Sequence, residues 1–364
     1  MKAINLSFLT LLLLVLFTSC KDKYSMLTVI NRDGSAHREI SFLTDSATML
    51  NEAHPSQTIS KILDDPRWKK TWKRESSKED STLHKVRCIA SQDYSSVEEM
   101  AKHFPIQCEG KPILKSCKIQ SHFKWLYTDY EYEEVYNDYS DIFEIPLSQY
   151  LDPKAASYWL TGQPNLLEGM SGAEAQDYLD SMATQYDHWI SANIIYDAID
   201  VVISEYDSLK TVPISKEQLI SQRDSLIDYM LQNGFSISDD SKFGTMAANF
   251  FGFDYFKTLF SVDGLVSQRI AQKYASITDS LYWIDIDYHL MMPGAKVIDC
   301  GNGICEKEGY LTFRITGNRL LSKDYTVKAV FRAPNYWAYV VSAIIIVVPF
   351  ILSFVLKKRK RAKA

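Results

Sequence analysis

The sequence predicts an α+β fold in which antiparallel, strand-rich flanks surround a helical insertion and one transmembrane helix follows. Three patterns support this. Apolar and polar residues alternate in the flanks, as they do in half-buried strands. In the middle of the chain apolar residues recur every three or four positions, as on one face of a helix. Near the end, 20 uncharged, mainly apolar residues in a row, 337–356, are long enough to cross a bilayer.

Residues 1–19 have the pattern of a secretory signal peptide. Lys2 precedes an apolar run, 6–17, that is too short to span a bilayer comfortably. The stretch Phe17-Thr18-Ser19-Cys20 resembles the lipobox of bacterial lipoproteins, which are cut before the cysteine and carry diacylglycerol on its sulfur. The resemblance implies lipidation of Cys20. The alternative is an ordinary cleaved signal that is followed by a chance cysteine.

Residues 20–150 are predicted to form the first strand-rich part of an extracytoplasmic domain. Two apolar runs flank Asn31-Arg-Asp-Gly34, and an Asp-Gly pair between such runs predicts a hairpin. A short helix is predicted over 97–103. In the segment 123–135 the alternation of aromatic residues changes parity near Thr128-Asp129, which indicates a bulge or a turn.

Residues 151–281 are predicted to be a helical insertion. Ser171 and Glu174 have the spacing of a capping box, and an apolar face follows them over one long helix. Ser215 and Gln218 repeat the pattern at the start of a second helix, and a strongly aromatic third segment comes next. An aromatic stripe at helical spacing usually faces a core, but a ligand groove or a surface for a membrane or a partner helix would have the same pattern.

Residues 282–334 are predicted to return to strands and to close the same domain. Apolar residues at 284–290 alternate with Asp and His, so one face of this strand is predicted to be buried and the other hydrated. Met292-Pro293-Gly294 turns the chain, and two more strands follow as a closing hairpin.

Residues 335–356 are predicted to be the transmembrane helix, and 357–364 a basic cytoplasmic tail. Tyr336, Trp337 and Tyr339 cluster where interfacial aromatic residues are typical. Because Lys and Arg next to a span favour the cytoplasmic side, the tail predicts a single-pass protein with its C-terminus in the cytoplasm. A lipidated N-terminus would lie on the opposite side, which predicts the inner membrane of a Gram-negative cell with the body in the periplasm.

The membrane in which the lipid anchor ends is left open by the sequence. Cys20-Lys21-Asp22 resembles an outer-surface export tag of some lipoproteins, whereas a helical span favours the inner membrane. Of the 40 Lys and Arg residues, seven lie in the two ends, so the body carries 33 basic and 45 acidic side chains, about −12 in net charge. An acidic body repels phosphate backbones, so no nucleic-acid partner is expected.

Five cysteines lie beyond the signal region. Cys300 and Cys305 flank a turn between apolar runs, so a hairpin disulfide is predicted there. Cys108 and Cys117 also flank a turn-like stretch, and their pairing is the second disulfide candidate. Cys88 is then predicted to be a buried thiol. No two of these cysteines are spaced as CxxC, so zinc binding and thioredoxin-type chemistry have no support.

Each of the two strand-rich flanks contains a short turn motif. Asp33-Gly34-Ser35 in an early hairpin and Met292-Pro293-Gly294 after a late strand, with a closing hairpin, one span and a basic tail, resemble the LppM-like group of bacterial lipoproteins. The resemblance implies an α+β extracytoplasmic domain on a C-terminal helix, and an envelope role that includes contact with lipids or glycolipids. It covers the two strand-rich flanks and assigns no catalytic residue.

The sequence contains none of the catalytic or nucleotide-binding motifs GxSxG, P-loop, GxGxxG and HExxH. His289 with Asp285 and Asp287 offers metal-type ligands, but a hydrated strand face is the favoured interpretation. The segment 127–134 mixes acidic and aromatic residues, which could stack on sugar rings or form a twisted amphipathic strand. No catalytic residue, cofactor or metal is therefore predicted.

Three hypotheses for function follow. The favoured one is a non-enzymatic, membrane-anchored cell-envelope lipoprotein, with membrane lipid at both anchors and an envelope protein or a lipid as partner. The first alternative is a carrier of lipid or glycolipid, which requires a continuous apolar cavity. The second is an envelope glycan hydrolase, which requires two carboxylates about 5–10 Å apart in a cleft.

Overall fold

A computed structural model of the chain describes residues 23–45, 57–74, 85–108, 110–162, 164–209, 211–236, 242–261, 264–277, 281, 284–306, 309–321 and 323–361. The predicted signal peptide and Cys20 lie outside these residues. The described part of the chain contains antiparallel strand-rich sheets, a group of helices and one apolar C-terminal helix, so the predicted α+β class is confirmed.

Within the described residues the chain forms thirteen strands. They are β1 (Lys23–Ile30), β2 (Ala36–Asp45), β3 (Lys69–Arg74), β4 (Lys85–Tyr94), β5 (Gln107–Cys108), β6 (Lys111–Pro112), β7 (Leu114–Phe123), β8 (Tyr127–Tyr136), β9 (Asp285–Met291), β10 (Lys296–Asp299), β11 (Ile304–Cys305), β12 (Leu311–Thr316) and β13 (Tyr325–Pro334).

The helices divide into short ones beside the sheets and a group of longer ones in the middle of the chain. They are α1 (Gln57–Asp64), α2 (Val97–Lys102), α3 (Pro153–Thr161), α4 (Gly172–Ser204), α5 (Lys216–Gln232), α6 (Phe243–Phe251), α7 (Tyr255–Leu259), α8 (Leu265–Ile277) and α9 (Tyr336–Arg361). The two predicted capping boxes are confirmed at the starts of α4 and α5. Each box satisfies backbone N–H groups that the first helical turn leaves without a partner.

Strands from both sides of the helical region meet in the same sheets. A seven-stranded sheet has the order β11-β12-β9-β1-β2-β4-β3, and a four-stranded sheet has the order β10-β13-β8-β7. β1 and β9 are parallel, whereas the other pairs in these two sheets are antiparallel. The inner faces of the two sheets contribute to one hydrophobic core, so they pack face to face.

The hairpins differ from the sequence prediction in two places. The β1–β2 hairpin is confirmed, and its Gly34 has a φ of +87°, a backbone conformation that favours glycine. The parity change near Thr128-Asp129 comes from a turn, which is one of the two predicted alternatives, but this turn lies at 124–126 between β7 and β8. The predicted closing hairpin is wrong, because β12 and β13 lie in different sheets. The short turn Gly317–Leu320 takes the chain across the sandwich, and Leu320 is fully buried there.

One of the two predicted disulfides is present, and the other is not. Cys300 and Cys305 form a disulfide with their Cα atoms 6.0 Å apart. It bridges the link from β10 in one sheet to β11 in the other, so it is not a hairpin disulfide. Cys108 and Cys117 are not joined, which corrects the second disulfide candidate. Cys117 instead points into the core, with its sulfur 3.1 Å from the Tyr132 hydroxyl.

The helical region has a hydrophobic core of its own. α4, with 33 residues, links the two cores. Trp189 belongs to the sandwich core, and Ala192, Ile195 and Val202 belong to the helical core, which α5 to α8 complete. Trp189 is fully buried and donates its indole N–H to the Ile145 carbonyl at 2.7 Å. The apolar face of α4 thus packs inside the protein in its C-terminal half, as an aromatic stripe usually does.

Candidate functional site

The C-terminal helix α9 is an apolar helix that the protein body leaves uncovered. Its segment Tyr336–Val355 has 20 residues, and only 6% of its most apolar window is buried. By length and composition this helix could cross a membrane. A core helix of a soluble protein would be mostly buried, so the exposure of α9 separates it from that class. Pro349 lies inside the helix, where spanning helices tolerate proline.

The junction between β13 and α9 is one residue long and strongly hydrogen-bonded. Asn335 donates its backbone N–H to Leu126 O at 2.9 Å and its side-chain amide to Lys124 O at 2.8 Å. Its side-chain carbonyl accepts a bond from the Thr128 hydroxyl at 3.1 Å. The start of α9 is therefore fixed to the β7–β8 turn as well as to its own strand.

Aromatic side chains extend this contact along the helix. Phe123 stacks on Trp337 with ring centroids 6.3 Å apart, and Trp125 meets Trp337 edge to face at 5.3 Å. Such pairs add to the stabilisation from buried area. Trp125 also donates its indole N–H to the Ser342 hydroxyl at 2.8 Å. Ser342 lies six residues beyond the first residue of α9.

The two turn motifs meet at this same end of the sandwich. Arg32, in the β1–β2 turn, donates to Pro334 O at 3.2 Å and to Gly294 O at 3.1 Å. In the same turn Asp33 accepts bonds from the Ser35 hydroxyl and backbone N–H, and these bonds lower the pKa of its carboxyl group. We use the name helix-proximal end for the surface formed by 31–35, 123–126, 292–294 and 334–335. Its turn residues hold one another in place.

A buried ion pair joins the two sheets behind this surface. Arg38 of β2 donates to the Glu134 carboxylate of β8, and both side chains are 0% exposed. The Arg38 Nε–H also donates to the Thr28 hydroxyl at 3.0 Å, and the guanidinium lies over the ring of Phe104 at 5.2 Å. Burial is the largest single influence and would lower the pKa of Arg38. The Glu134 carboxylate and three nearby tyrosines together outweigh it and hold that pKa well above its usual value.

Three tyrosines complete the surroundings of Glu134. Tyr132 and Tyr136 donate their hydroxyls at 2.6 Å, and Tyr288 of the opposite sheet donates at 2.9 Å. Burial is the largest cause that raises the pKa of these three hydroxyls well above the usual value, so they stay protonated and donate. Part of the acidic and aromatic segment 127–134 is thus internal structure, and its buried residues cannot bind a sugar.

The outward carboxylates of the same strand have basic partners. Asp129 receives two bonds from Arg332, at 2.7 and 2.9 Å, and these bonds lower the pKa of Asp129. Glu133 lies 2.8 Å from Lys328 Nζ, at the edge of a cavity of about 220 Å³ that Glu131 also lines. This pairing is typical of a solvated sheet face and does not single out an acid and a base for hydrolysis.

The other sequence candidates are also engaged in internal contacts. Asp285 accepts two bonds from Arg314, at 3.0 and 2.9 Å, and His289 Nδ1 lies 3.2 Å from the Thr312 hydroxyl. Across the residues that the structure describes, no group of three His, Cys, Asp or Glu side chains could hold a metal ion. Two further cavities, of about 620 and 540 Å³, have charged side chains such as Lys61 and Lys115 in their walls and do not resemble a lipid-carrying cavity.

Two parts of the site were missed at the level of sequence. The inward position of Arg38 follows from its parity with Ile40 and Phe42, which are also buried, so the alternation of β2 contained the signal. The pairing of Arg38 with Glu134 could not be predicted in this way, because the alternation within one strand does not indicate which residue of the opposite sheet lies across from it. The contact of Trp125 with Ser342 was likewise not predictable from either segment alone.

Comparison with known proteins gives no match. No protein-family model matches the chain, and neither the curated proteins nor the solved structures include a significantly similar one.

Proposed function

We propose that this protein is a membrane-anchored cell-envelope lipoprotein whose extracytoplasmic body is a non-enzymatic interaction module. The single observation that carries the proposal is α9, an apolar helix of spanning length that the body leaves bare. A helix that exposes 14 large hydrophobic side chains would be costly in water, whereas lipid would cover them.

The exposed hydrophobic side chains are most concentrated on α9. The exposed large hydrophobic side chains of α9 run from its first turn to its last described turn: Tyr336, Trp337, Tyr339, Val340, Ile344, Ile345, Ile346, Val347, Val348, Phe350, Ile351, Leu352, Phe354 and Val355. The basic tail 357–364 supports an orientation with the C-terminus in the cytoplasm. The lipobox-like stretch before Cys20 supports export and lipidation, and thus a periplasmic body in the inner membrane of a Gram-negative cell.

The non-enzymatic part of the proposal is supported by how the candidate groups are used. Glu134 is enclosed by Arg38 and three tyrosines, and Asp285 is bound by Arg314. These carboxylates stabilise the two sheets and do not face a cleft. The partner is an envelope protein or a lipid, and its identity is to be sought by cross-linking in intact cells followed by purification in detergent.

Reporter fusions test the anchoring and the orientation. A green fluorescent protein fused after residue 364 is expected to fluoresce, and alkaline phosphatase fused at the same place is expected to be inactive. After a truncation at residue 335, which removes α9, the two reporters should exchange their behaviour. Labelling with radioactive palmitate should be lost in Cys20→Ala. An active phosphatase after residue 364 would refute the proposed orientation.

A further inference from the structure

We infer that the tip of the β7–β8 hairpin, Phe123–Leu126, is a second membrane contact that lies in the extracytoplasmic interface of the bilayer beside α9. The partner is lipid, at the boundary between headgroups and acyl chains. The inference rests on the proposed function, since it requires α9 to span, and it adds a membrane-binding surface in the body of the protein.

The exposure of the tip is the first observation. Phe123 is 59% exposed, Trp125 46% and Leu126 38%, so three large apolar side chains point outward from one tight turn. Scattered exposed apolar residues are common, but a contiguous group at the end of a hairpin marks an interaction surface. Trp is the residue type that is enriched where one part of the side chain meets hydrocarbon and the other meets water.

The position of the tip along α9 is the second observation. The Trp125 indole N–H is bound to Ser342 Oγ at 2.8 Å. Ser342 lies six residues after Tyr336, and at 1.5 Å per residue this is about 9 Å along the helix. A bilayer of about 40–45 Å with a hydrocarbon core of about 30 Å has an interface of about 5–8 Å on each side. With Tyr336 at the outer edge of the interface, Ser342 and Trp125 lie at its boundary with the hydrocarbon. The 14 residues from 343 to 356 are about 21 Å long, and they cross the core with local thinning of the bilayer and with the basic side chains of the tail extended to the headgroups.

The rigidity of the junction is the third observation. Asn335 bonds to the carbonyl groups of Lys124 and Leu126, and Trp337 contacts both Phe123 and Trp125. These contacts fix the tip to the first two turns of α9. The hairpin cannot stay in water while the helix start enters the interface.

The charges around the tip fit lipid headgroups. Lys124 is exposed at its centre, and a lysine can extend its ammonium group to the headgroups while its aliphatic part stays near the apolar side chains. Arg32 and Asp33 lie at the same end of the sandwich and are both exposed, so their charges offset each other and Lys124 sets the sign at the tip. The nearby Asp129 is paired with Arg332, so its negative charge is compensated. A bilayer with anionic lipid is the partner that this arrangement favours over an apolar protein surface.

Quenching of tryptophan fluorescence by brominated lipids tests the inference. The full-length chain is reconstituted in phosphatidylcholine and phosphatidylglycerol vesicles whose acyl chains carry bromine at a shallow or a deep position. Wild type, Trp125→Phe and the control Trp159→Phe are compared. Trp159 is half-buried in α3, where its ring contacts that of Tyr186 in α4, and it is not expected to be quenched.

The expected result is specific to one residue and one depth. Trp125→Phe should lose at least a third of the quenched emission, with a larger loss for shallow than for deep bromine, and Trp159→Phe should lose none of it. Protection of Cys117 from a maleimide shows that each variant is folded, because that thiol is buried between the sheets. Equal quenching in wild type and Trp125→Phe overturns the inference.

The same vesicles separate this inference from the proposed function. If α9 spans, the chain resists extraction by alkaline carbonate, and a protease added outside reaches only one end of it. Unchanged quenching with a spanning α9 overturns the hairpin contact alone. Extraction of the chain by carbonate overturns the proposed anchoring, and the hairpin contact with it.

Discussion

Removal of the buried ion pair between Arg38 and Glu134 is the perturbation whose effect the structure specifies best. Arg38→Met keeps most of the side-chain volume but removes the charge, the bond to Thr28 and the contact with Phe104. Glu134 is then a buried carboxylate with no cation beside it. Loss of one partner of a buried pair costs about 3–5 kcal/mol of unfolding free energy. Because three tyrosine hydroxyls still donate to Glu134, we expect Arg38→Met to lower the unfolding free energy by about 3 kcal/mol, the lower end of this range.

A double-mutant cycle isolates the interaction between the two charges. Glu134→Gln keeps an acceptor for the tyrosine hydroxyls but leaves Arg38 buried without a counter-charge, so it should also cost about 3 kcal/mol. In the double variant neither charge remains, and the destabilisation should be closer to that of one single variant than to their sum. The coupling energy is then about 2 kcal/mol or more, as for groups in direct contact.

The unfolding of the sandwich can be followed at its own cysteines. Cys88 of β4 and Cys117 of β7 are buried, one in each sheet, and burial raises the pKa of both thiols, that of Cys88 to about 11. Their reaction with a maleimide in increasing urea, measured residue by residue by mass spectrometry on the detergent-solubilised full chain, reports when the sheets separate. Two results would show that the pair does not join the sheets as described. The first is that the losses of unfolding free energy in the two single variants add up to that of the double variant. The second is that Arg38→Met stays within about 0.5 kcal/mol of wild type.

Three further predictions concern local packing. Gly317→Ala should destabilise the sandwich by about 2 kcal/mol or more, because an added Cβ would lie 2.1 Å from Leu281 O. The control Gly172→Ala, at the open start of α4, should be neutral or slightly stabilising. The urea midpoints of unfolding distinguish the two variants. Reduction of the Cys300–Cys305 disulfide should lower the unfolding free energy by about 2 kcal/mol on the loop-entropy argument, and an unchanged melting temperature in dithiothreitol would contradict it. Ser171→Ala should cost about 1 kcal/mol, read from thermal melting of the helical region, and no change would mean that the capping box is not formed in solution.

The parts of the fold that depend on local patterns could be predicted from the sequence. The alternation in β9, the two capping boxes and the bare apolar helix α9 each follow from a period of two or 3.6 residues or from an unbroken apolar run. The disulfide between Cys300 and Cys305 follows from short spacing across a turn. These features depend on residues that are close in the sequence, so their physical cause is visible there.

The pairing of distant segments could not be predicted in the same way. β1 lies beside β9, with Met26 opposite Tyr288, although the whole helical region separates them in the chain. A period of two reports which face of a strand is buried, but it does not report the neighbouring strand. For the same reason the sequence predicts a hairpin of β12 and β13, although the two strands lie in different sheets. The pairing of Cys108 with Cys117 failed because a turn between two cysteines does not show that their side chains point toward each other.

The direction of β1 sets how far a lipidated Cys20 would lie from α9 in the proposed topology. The strand runs toward the helix-proximal end, where Arg32 in the turn that follows it bonds to Pro334, so Lys23 lies at the opposite end of the strand. Seven residue steps at about 3.3 Å place Lys23 about 23 Å from Ile30. A link of three residues from Lys23 back to Cys20 reaches at most about 10 Å.

If the body stood upright on α9, the backbone of Cys20 would lie at least about 13 Å farther from the bilayer than Ile30. The acyl chains of a lipidated Cys20 would then have to bridge that distance before they enter the bilayer that contains the helix. A body that leans over and brings the side of β1 against the headgroups would remove this gap.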